Sequence, residues 1–142
     1  MARQSADEGR PFDREVVSLL QTHVRDLQAV YRFGASVANA DRPDSDVDLA
    51  ILAARPLAAV ERFDIQERLA AALRRDVDLV DLRAASTVMA SLIITTGMLL
   101  YEGDAPARHV FEDFIYGRYA RLNEERRGIL ERIAREGSVY GG

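Results

Sequence analysis

The chain has 142 residues, of which 48% are hydrophobic and 30% charged, a composition typical of one soluble globular domain with its own core. The net charge of −4 argues against direct binding to nucleic acid. The absence of Cys excludes disulfides and thiolate metal sites and favours a reducing compartment, the cytoplasm. All 19 basic residues are Arg, so lysine chemistry is excluded. The sequence shows no apolar run long enough to span a membrane, and we expect neither a signal peptide nor membrane association.

The N-terminal half alternates helical and extended patterns after a polar start. Residues 1–10 are expected to be frayed. Asp13 is the candidate cap of the first helix. The predicted elements are a helix over 13–26, a strand over 28–33, a loop over 36–45, a strand over 47–52 and a helix over 58–73. The apolar set of the second helix includes Val60, Phe63, Ile65, Leu69 and Leu73.

The C-terminal half repeats this alternation and ends in a long helical segment. The predicted elements are a strand over 76–82, a helix over 84–96 that Gly97 stops, and a short strand over 98–101. Asp104 and Pro106 open a helix that extends to Gly137 and that Gly117 or Gly128 could interrupt.

Two carboxylates stand at the start of the second predicted strand. Asp46 and Asp48 are two residues apart, and the apolar run 49–52 follows them. Residues two apart on a strand point to the same face. Two adjacent like charges are costly unless a cation lies between them. Mg²⁺ takes carboxylate oxygens and leaves room for substrate phosphates, so the pair predicts a divalent-metal site.

The first predicted strand stops at Gly34, which supplies the other half of this site. Glycine lets backbone N–H groups approach a phosphate closely. If Ala35 opens a helix, the free N–H groups and dipole at the helix start would favour an anion. The pattern predicts a phosphate cradle at Gly34 beside a metal pair at Asp46 and Asp48.

Three sequence blocks follow Gly34-Ala35 in the order seen in the nucleotidyltransferase superfamily. They are Arg42-Pro43-Asp44-Ser45-Asp46-Val47-Asp48-Leu49, Val77-Asp78-Leu79-Val80-Asp81-Leu82 and Gly97-Met98-Leu99-Leu100-Tyr101-Glu102. Nearly the whole chain resembles the minimal nucleotidyltransferases, small proteins usually paired with a HEPN-domain partner. The resemblance implies an α+β fold, a small mixed sheet with helices packed on one side, as in the polymerase-β-like core. A single domain would span 1–142, with a C-terminal helical segment at 104–137.

The resemblance also implies a chemistry and assigns residues to it. Asp46, Asp48 and Asp78 would be catalytic and would bind two Mg²⁺ ions. The ATP-binding residues would be Gly34, Ala35, Ser36 and Ser45. The implied activity is transfer of AMP from ATP to a tyrosine hydroxyl of a HEPN ribonuclease toxin, which neutralises the toxin. The chain would then be the antitoxin of a toxin–antitoxin pair.

The chain departs from the family pattern directly after Gly34. The usual motif is Gly-Ser, but Ala35 has no hydroxyl and Ser36 comes one position late. The basic residue and second glycine common in the following loop are also missing from 37–40. One alternative is therefore an inactive antitoxin that neutralises its partner by stoichiometric binding. A further alternative is nucleotidyl transfer to a small molecule such as an aminoglycoside, which usually requires an added acceptor-binding domain.

Other polar residues are weaker candidates for a functional role. Asp76 shares the predicted face of Asp78 but is better explained as a strand end, and Asp81 faces the opposite way in a solvated or paired role. His23 and His109 lack metal-ligand spacing. The C-terminal segment interleaves arginines with aromatic residues, which is compatible with a solvated helix or with a partner-binding surface. Its acidic residues make RNA binding the poorer alternative.

Overall fold

A computed structural model of the chain describes residues 11–34 and 46–140, with side chains to residue 137. The helices are α1 (Pro11–His23), α2 (Ala59–Leu73), α3 (Thr87–Thr96) and α4 (Ala105–Tyr140). The strands are β1 (Leu27–Phe33), β2 (Val47–Ala53), β3 (Val77–Asp81) and β4 (Met98–Glu102). Each of these elements was predicted, in this order, and the α+β fold class is confirmed.

The strands form one mixed sheet in the order β3-β2-β1-β4. β1 pairs antiparallel with both β2 and β4, whereas β2 and β3 run parallel. A parallel pair needs a long crossover connection, which α2 provides between β2 and β3. The sheet therefore places the end of β1 beside the beginnings of β2 and β3.

Helices cover both faces of the sheet, so the prediction of helices on one side was wrong. α1 and α2 pack on the face that carries Val30 and Leu49, and α3 and α4 pack on the face that carries Tyr31 and Leu52. The reason lies in β2, whose alternate residues are apolar on both sides. A strand of this kind has to be covered twice.

The apolar set predicted for α2 was partly wrong. Ile65, Leu69 and Leu73 are buried at a spacing of four residues, but Val60 is 72% and Phe63 51% exposed. At roughly 100° per residue, Val60 lies about 140° and Phe63 about 160° around the helix from Ile65. Val60 and Phe63 lie off the buried stripe, so α2 has a narrower core-facing surface than its composition indicates.

Local hydrogen bonds and turns set the helix ends. α1 starts at Pro11 and ends at His23, close to the left-handed turn at Asp26 (φ 55°). α3 starts at Thr87 because the Ser86 hydroxyl caps it by accepting a hydrogen bond from the Met89 N–H at 3.1 Å. Gly97 ends α3 as predicted, and its N–H donates to the Ile93 carbonyl at 2.7 Å.

α4 is a single continuous helix of 36 residues, roughly 54 Å long at 1.5 Å per residue. Asp104 caps it as predicted, with Oδ1 accepting from the Ala107 N–H at 3.0 Å. Neither Gly117 nor Gly128 interrupts it, and it continues past Gly137. Among the described helices, none carries an apolar stretch long enough to cross a membrane.

A buried polar network fastens α4 to the sheet. The Tyr31 hydroxyl donates to Glu112 Oε2 at 2.6 Å, and Arg108 Nη1 donates to the same oxygen at 2.9 Å. Arg108 Nε also donates to Glu102 at 2.5 Å. Burial and the neighbouring Glu112 raise the pKa of Tyr31, so the phenol stays protonated. Burial opposes the charge on Arg108, but its hydrogen bonds to the two carboxylates outweigh burial and raise its pKa.

Candidate active site

Strand pairing brings two of the three predicted catalytic carboxylates side by side. Asp48 in β2 lies opposite Asp78 in β3 in the parallel register, and opposite Phe33 in β1 in the antiparallel register. Directly paired residues on adjacent strands point to the same face. Asp46 is two residues before Asp48 and therefore belongs to that face. Asp48 is half-buried, whereas Asp46 and Asp78 are exposed.

Gly34 lies against the central carboxylate. Its φ of +76° falls in the left-handed region that favours glycine. A Cβ added to Gly34 would overlap Asp48 Oδ2 and stand 3.2 Å from Asp48 Cγ. The end of β1 therefore approaches the carboxylate as closely as a residue without a side chain can. This places the predicted phosphate-binding backbone and the predicted metal ligand in contact.

The charges around Asp48 favour a bound cation. Burial raises the pKa of the Asp48 carboxyl, and the neighbouring carboxylates of Asp78 and Asp46 raise it further. Arg32 acts in the opposite direction and lowers it. Three acidic groups on one face destabilise the ionised form of the central one, and a divalent cation would relieve that repulsion.

The residues at this site fit Mg²⁺ by donor chemistry. Carboxylate oxygens are the ligands that Mg²⁺ prefers, and it usually combines one or two of them with substrate phosphates. Within residues 11–34 and 46–140, no three His, Cys, Asp or Glu side chains are already gathered into a metal-binding group. An ion that also binds substrate phosphates takes only part of its ligands from the protein, and the carboxylates on this face can supply them.

A buried ion pair lies behind the site, and the sequence did not reveal it. Arg32 is fully buried and donates through Nη1 to Asp13 Oδ1 at 3.0 Å. Its guanidinium also lies 5.1 Å from the centre of the Phe12 ring. Asp13 is thus the partner of a core arginine rather than a helix cap. The contact fixes the start of α1 to the strand that leads into Gly34, and the isolated Arg within an apolar strand was its only signal.

The remaining candidates fall outside the cluster or outside the described residues. Ala35, Ser36 and Ser45 belong to the segment 35–45, which the structure does not describe. Asp76 is exposed, and its carbonyl accepts from the Val47 N–H at 2.9 Å, in keeping with a strand end. Asp81 is buried and has a structural role. Its Oδ2 accepts from the Leu57 N–H at 2.7 Å and its Oδ1 from the Arg83 N–H at 3.0 Å, so the paired alternative is confirmed.

The sheet, the glycine turn and the order of the carboxylates are those of a nucleotidyltransferase core. Residues 14–106 match the family described as "Polymerase beta, Nucleotidyltransferase". The chain belongs to this family.

A curated relative indicates the kind of nucleotidyltransferase to which the chain is similar. Over 121 residues the chain is 35% identical to the protein adenylyltransferase MntA of Shewanella oneidensis, covering 85% of this chain and 86% of MntA. It is therefore homologous to a protein adenylyltransferase.

Two solved structures of relatives show what such proteins bind. The first is a toxin–antitoxin crystal structure with AMP-PNP, with a TM-score of 0.75 and 34% identity over 86% of this chain and 98% of the other. The second is a tri-AMPylated HEPN toxin of S. oneidensis in complex with its MNT antitoxin, with a TM-score of 0.72 and 33% identity over 87% and 96% of the two chains.

Proposed function

We propose that the chain is a Mg²⁺-dependent protein adenylyltransferase that acts as an antitoxin. It transfers AMP from ATP to a tyrosine hydroxyl of a HEPN ribonuclease partner and thereby neutralises it. The observation that carries the proposal is the register that pairs Asp48 with Asp78 while Gly34 contacts Asp48. The AMP-PNP structure and the AMPylated toxin of the relatives support the nucleotide and the partner.

The chemistry requires few protein groups. The tyrosine oxygen forms a bond to the α-phosphorus of ATP, the bond from that phosphorus to the bridging oxygen breaks, and pyrophosphate leaves. Asp46, Asp48 and Asp78 would hold two Mg²⁺ ions, which when bound neutralise the phosphate charge and lower the pKa of the attacking hydroxyl. The backbone N–H groups after Gly34, with Ser36 and Ser45, would orient the triphosphate.

Asp78 is the residue that would accept the proton of the attacking hydroxyl. It comes from β3, the edge strand of the described sheet, and it is exposed. An acceptor approaching from solvent meets this carboxylate more readily than the half-buried Asp48. Asp78 would thus act in the chemical step more than in nucleotide binding.

We expect Asp78→Asn to leave ATP affinity within a few-fold while lowering the rate of AMP transfer about 10²-fold or more, as loss of a general base does. ATP affinity is measured by calorimetric titration, and the rate by single-turnover transfer of label from the α-phosphate of ATP to the HEPN partner. Asp76→Asn is the matched control, because it removes the same charge from an exposed residue directly before β3, two positions from Asp78. Loss of activity in the control, with full activity in Asp78→Asn, would assign the role to Asp76.

A second candidate function is neutralisation by stoichiometric binding without transfer. The replacement of the usual Ser by Ala35 favours it, because the side-chain hydroxyl that contacts phosphate is lost there. Backbone N–H groups survive that replacement, and Ser36 could supply a hydroxyl from the next position. The two functions therefore differ in what the side chains at 35 and 36 contribute to ATP binding.

The two candidate functions predict opposite effects of two substitutions on ATP affinity. If Ser36 contacts the triphosphate, Ser36→Ala should weaken ATP binding by roughly 1.5–3 kcal/mol, the worth of a hydrogen bond to a charged group, and Ala35→Ser should add little. If the phosphate site is impaired, Ser36→Ala should be silent and Ala35→Ser should raise affinity. Parallel ATP titrations separate the two. No ATP binding by any variant, with full neutralisation of the toxin, would establish stoichiometric inhibition.

A further inference from the structure

The C-terminal part of α4 extends beyond the globular body. Phe111 and Ile115 pack in the core, but every residue from 124 to 137 is exposed. Three large apolar side chains are among them: Ile129 is 46%, Leu130 62% and Ile133 57% exposed. In proteins, most of the stability of a helix comes from packing of its apolar side, and the exposed part of α4 has no such packing among the described residues. We call residues 121–136 the distal segment.

The distal segment carries a charge pattern with opposite signs on either side of its midpoint. Counted outward from Gly128-Ile129, Glu125 mirrors Arg132, and Arg121 mirrors Glu136. The spacings of three and four residues place these four side chains along one side of the helix, with Ile129 between them. A helix with this pattern is complementary to an antiparallel copy of itself.

Gly128 lies at the midpoint of the pattern, and none of the described residues packs so closely against it that a glycine is required there. A Cβ added there would meet nothing within 4 Å, and glycine within a helix is less favourable than alanine. A small residue does allow a second helix to approach closely. Beside it lies an open groove of about 380 Å³ lined by Glu125, Gly128, Ile129, Arg132 and Arg135.

We infer that the distal segment is a self-association surface, on which two copies of the chain pair antiparallel with Gly128 and Ile129 at the crossing point. Glu125 of each copy then faces Arg132 of the other, and Arg121 faces Glu136. Ile129 packs at the centre, and Ile133 covers one flank. By symmetry each charge pair occurs twice, as in any interface between identical copies. This inference does not depend on the proposed enzymatic activity.

Charge reversal tests the pairing in the full-length chain. Sedimentation velocity over a concentration series should show a reversible monomer–dimer equilibrium. E125R places like charges opposite Arg132 at two symmetric positions, and R132E does the same opposite Glu125. Each should raise the dimer Kd on the order of tenfold. The double variant E125R/R132E restores opposite charges and should return the Kd to within about threefold of the parent value.

E131R is the matched control, because it reverses a charge on the same helix about 200° around from Ile129. Its dimer Kd should change by no more than about twofold. A chain that stays monomeric at every concentration would overturn the inference. So would equal weakening by E125R and E131R, or no recovery in the double variant. Protection of this face from hydrogen exchange only in the presence of the HEPN partner would assign it to that partner and overturn self-association.

Discussion

Replacing Asp46 and Asp48 together with Asn is expected to abolish AMP transfer while leaving the fold intact. Asp48 pairs directly with Asp78, and Asp46 belongs to the same face. The proposed function makes both replaced residues metal ligands. Removing a single preorganised group that stabilises transition-state charge costs about 10²–10³-fold in rate, and the double replacement removes two. We therefore expect transfer to the HEPN partner to fall below detection, and calorimetric binding of Mg²⁺ in the presence of ATP to disappear with it.

The free energy of unfolding should rise although AMP transfer is lost. Because the folded-state pKa of Asp48 is raised above the ordinary value of 3.8, its ionised form is less favourable in the folded chain than in the unfolded one. This cost is absent below the unfolded pKa and is complete only once the pH exceeds the folded pKa. Asp48→Asn removes that cost, so its free energy of unfolding without metal should exceed that of the parent at neutral pH. The difference should shrink as the pH falls towards 3.8.

Urea unfolding at several pH values, with a chelator present, measures this difference. A variant with Asp64→Asn and Glu67→Gln is the control, because it removes two negative charges from the exposed side of α2. It should retain transfer activity and show no comparable gain in stability. Undiminished transfer by the Asp46/Asp48 variant would remove both residues from the active site.

The sequence predicted the helices and strands better than the contacts between them. Strand and helix periodicities are local, so β1 to β4 and α1 to α4 could be found in order. Caps such as Asp104 and stops such as Gly97 are local as well. The pair Asp46/Asp48 was visible because residues two apart share a strand face. The third carboxylate came only from the family resemblance, since no periodicity predicts that β2 and β3 are parallel neighbours in register.

Tertiary packing determines the burial and bonding of the residues whose surroundings the local sequence pattern does not indicate. Glu112 belongs to a helix rich in charged residues, but it is buried because Tyr31 and Arg108 bond to it. Val60 and Phe63 are exposed although apolar, since only one stripe of α2 meets the sheet. Asp13 had the position of a helix cap, yet a buried arginine recruits it. In each case the packing of the whole fold, and not the local sequence pattern, decides the surroundings of the residue.

Gly34→Ala should be the most damaging single change that leaves every polar side chain of the site in place. A non-glycine residue in the left-handed region costs about 1–2 kcal/mol, and the overlap with Asp48 Oδ2 adds to that cost. The new methyl group can be accommodated only if the carboxylate moves. We expect a loss of at least about 1–2 kcal/mol in the free energy of unfolding, together with loss of AMP transfer. Gly117→Ala is the control of opposite sign, because its methyl group meets nothing and should stabilise α4 by up to about 1 kcal/mol.

A double-mutant cycle separates the two parts of the Gly34 effect. An Asp48→Ala background lacks Oδ2 and Cγ. The Cβ that remains at position 48 lies 3.5 Å from a Cβ added at Gly34, which is an ordinary contact. There Gly34→Ala should cost only the backbone strain, so the difference between the two backgrounds measures the overlap with the carboxylate. Urea unfolding of the four proteins gives this coupling without any activity measurement. A coupling near zero would mean that the end of β1 does not press against Asp48. The contact between the proposed phosphate-binding turn and the proposed metal ligand would then be absent, whatever the transfer assay showed.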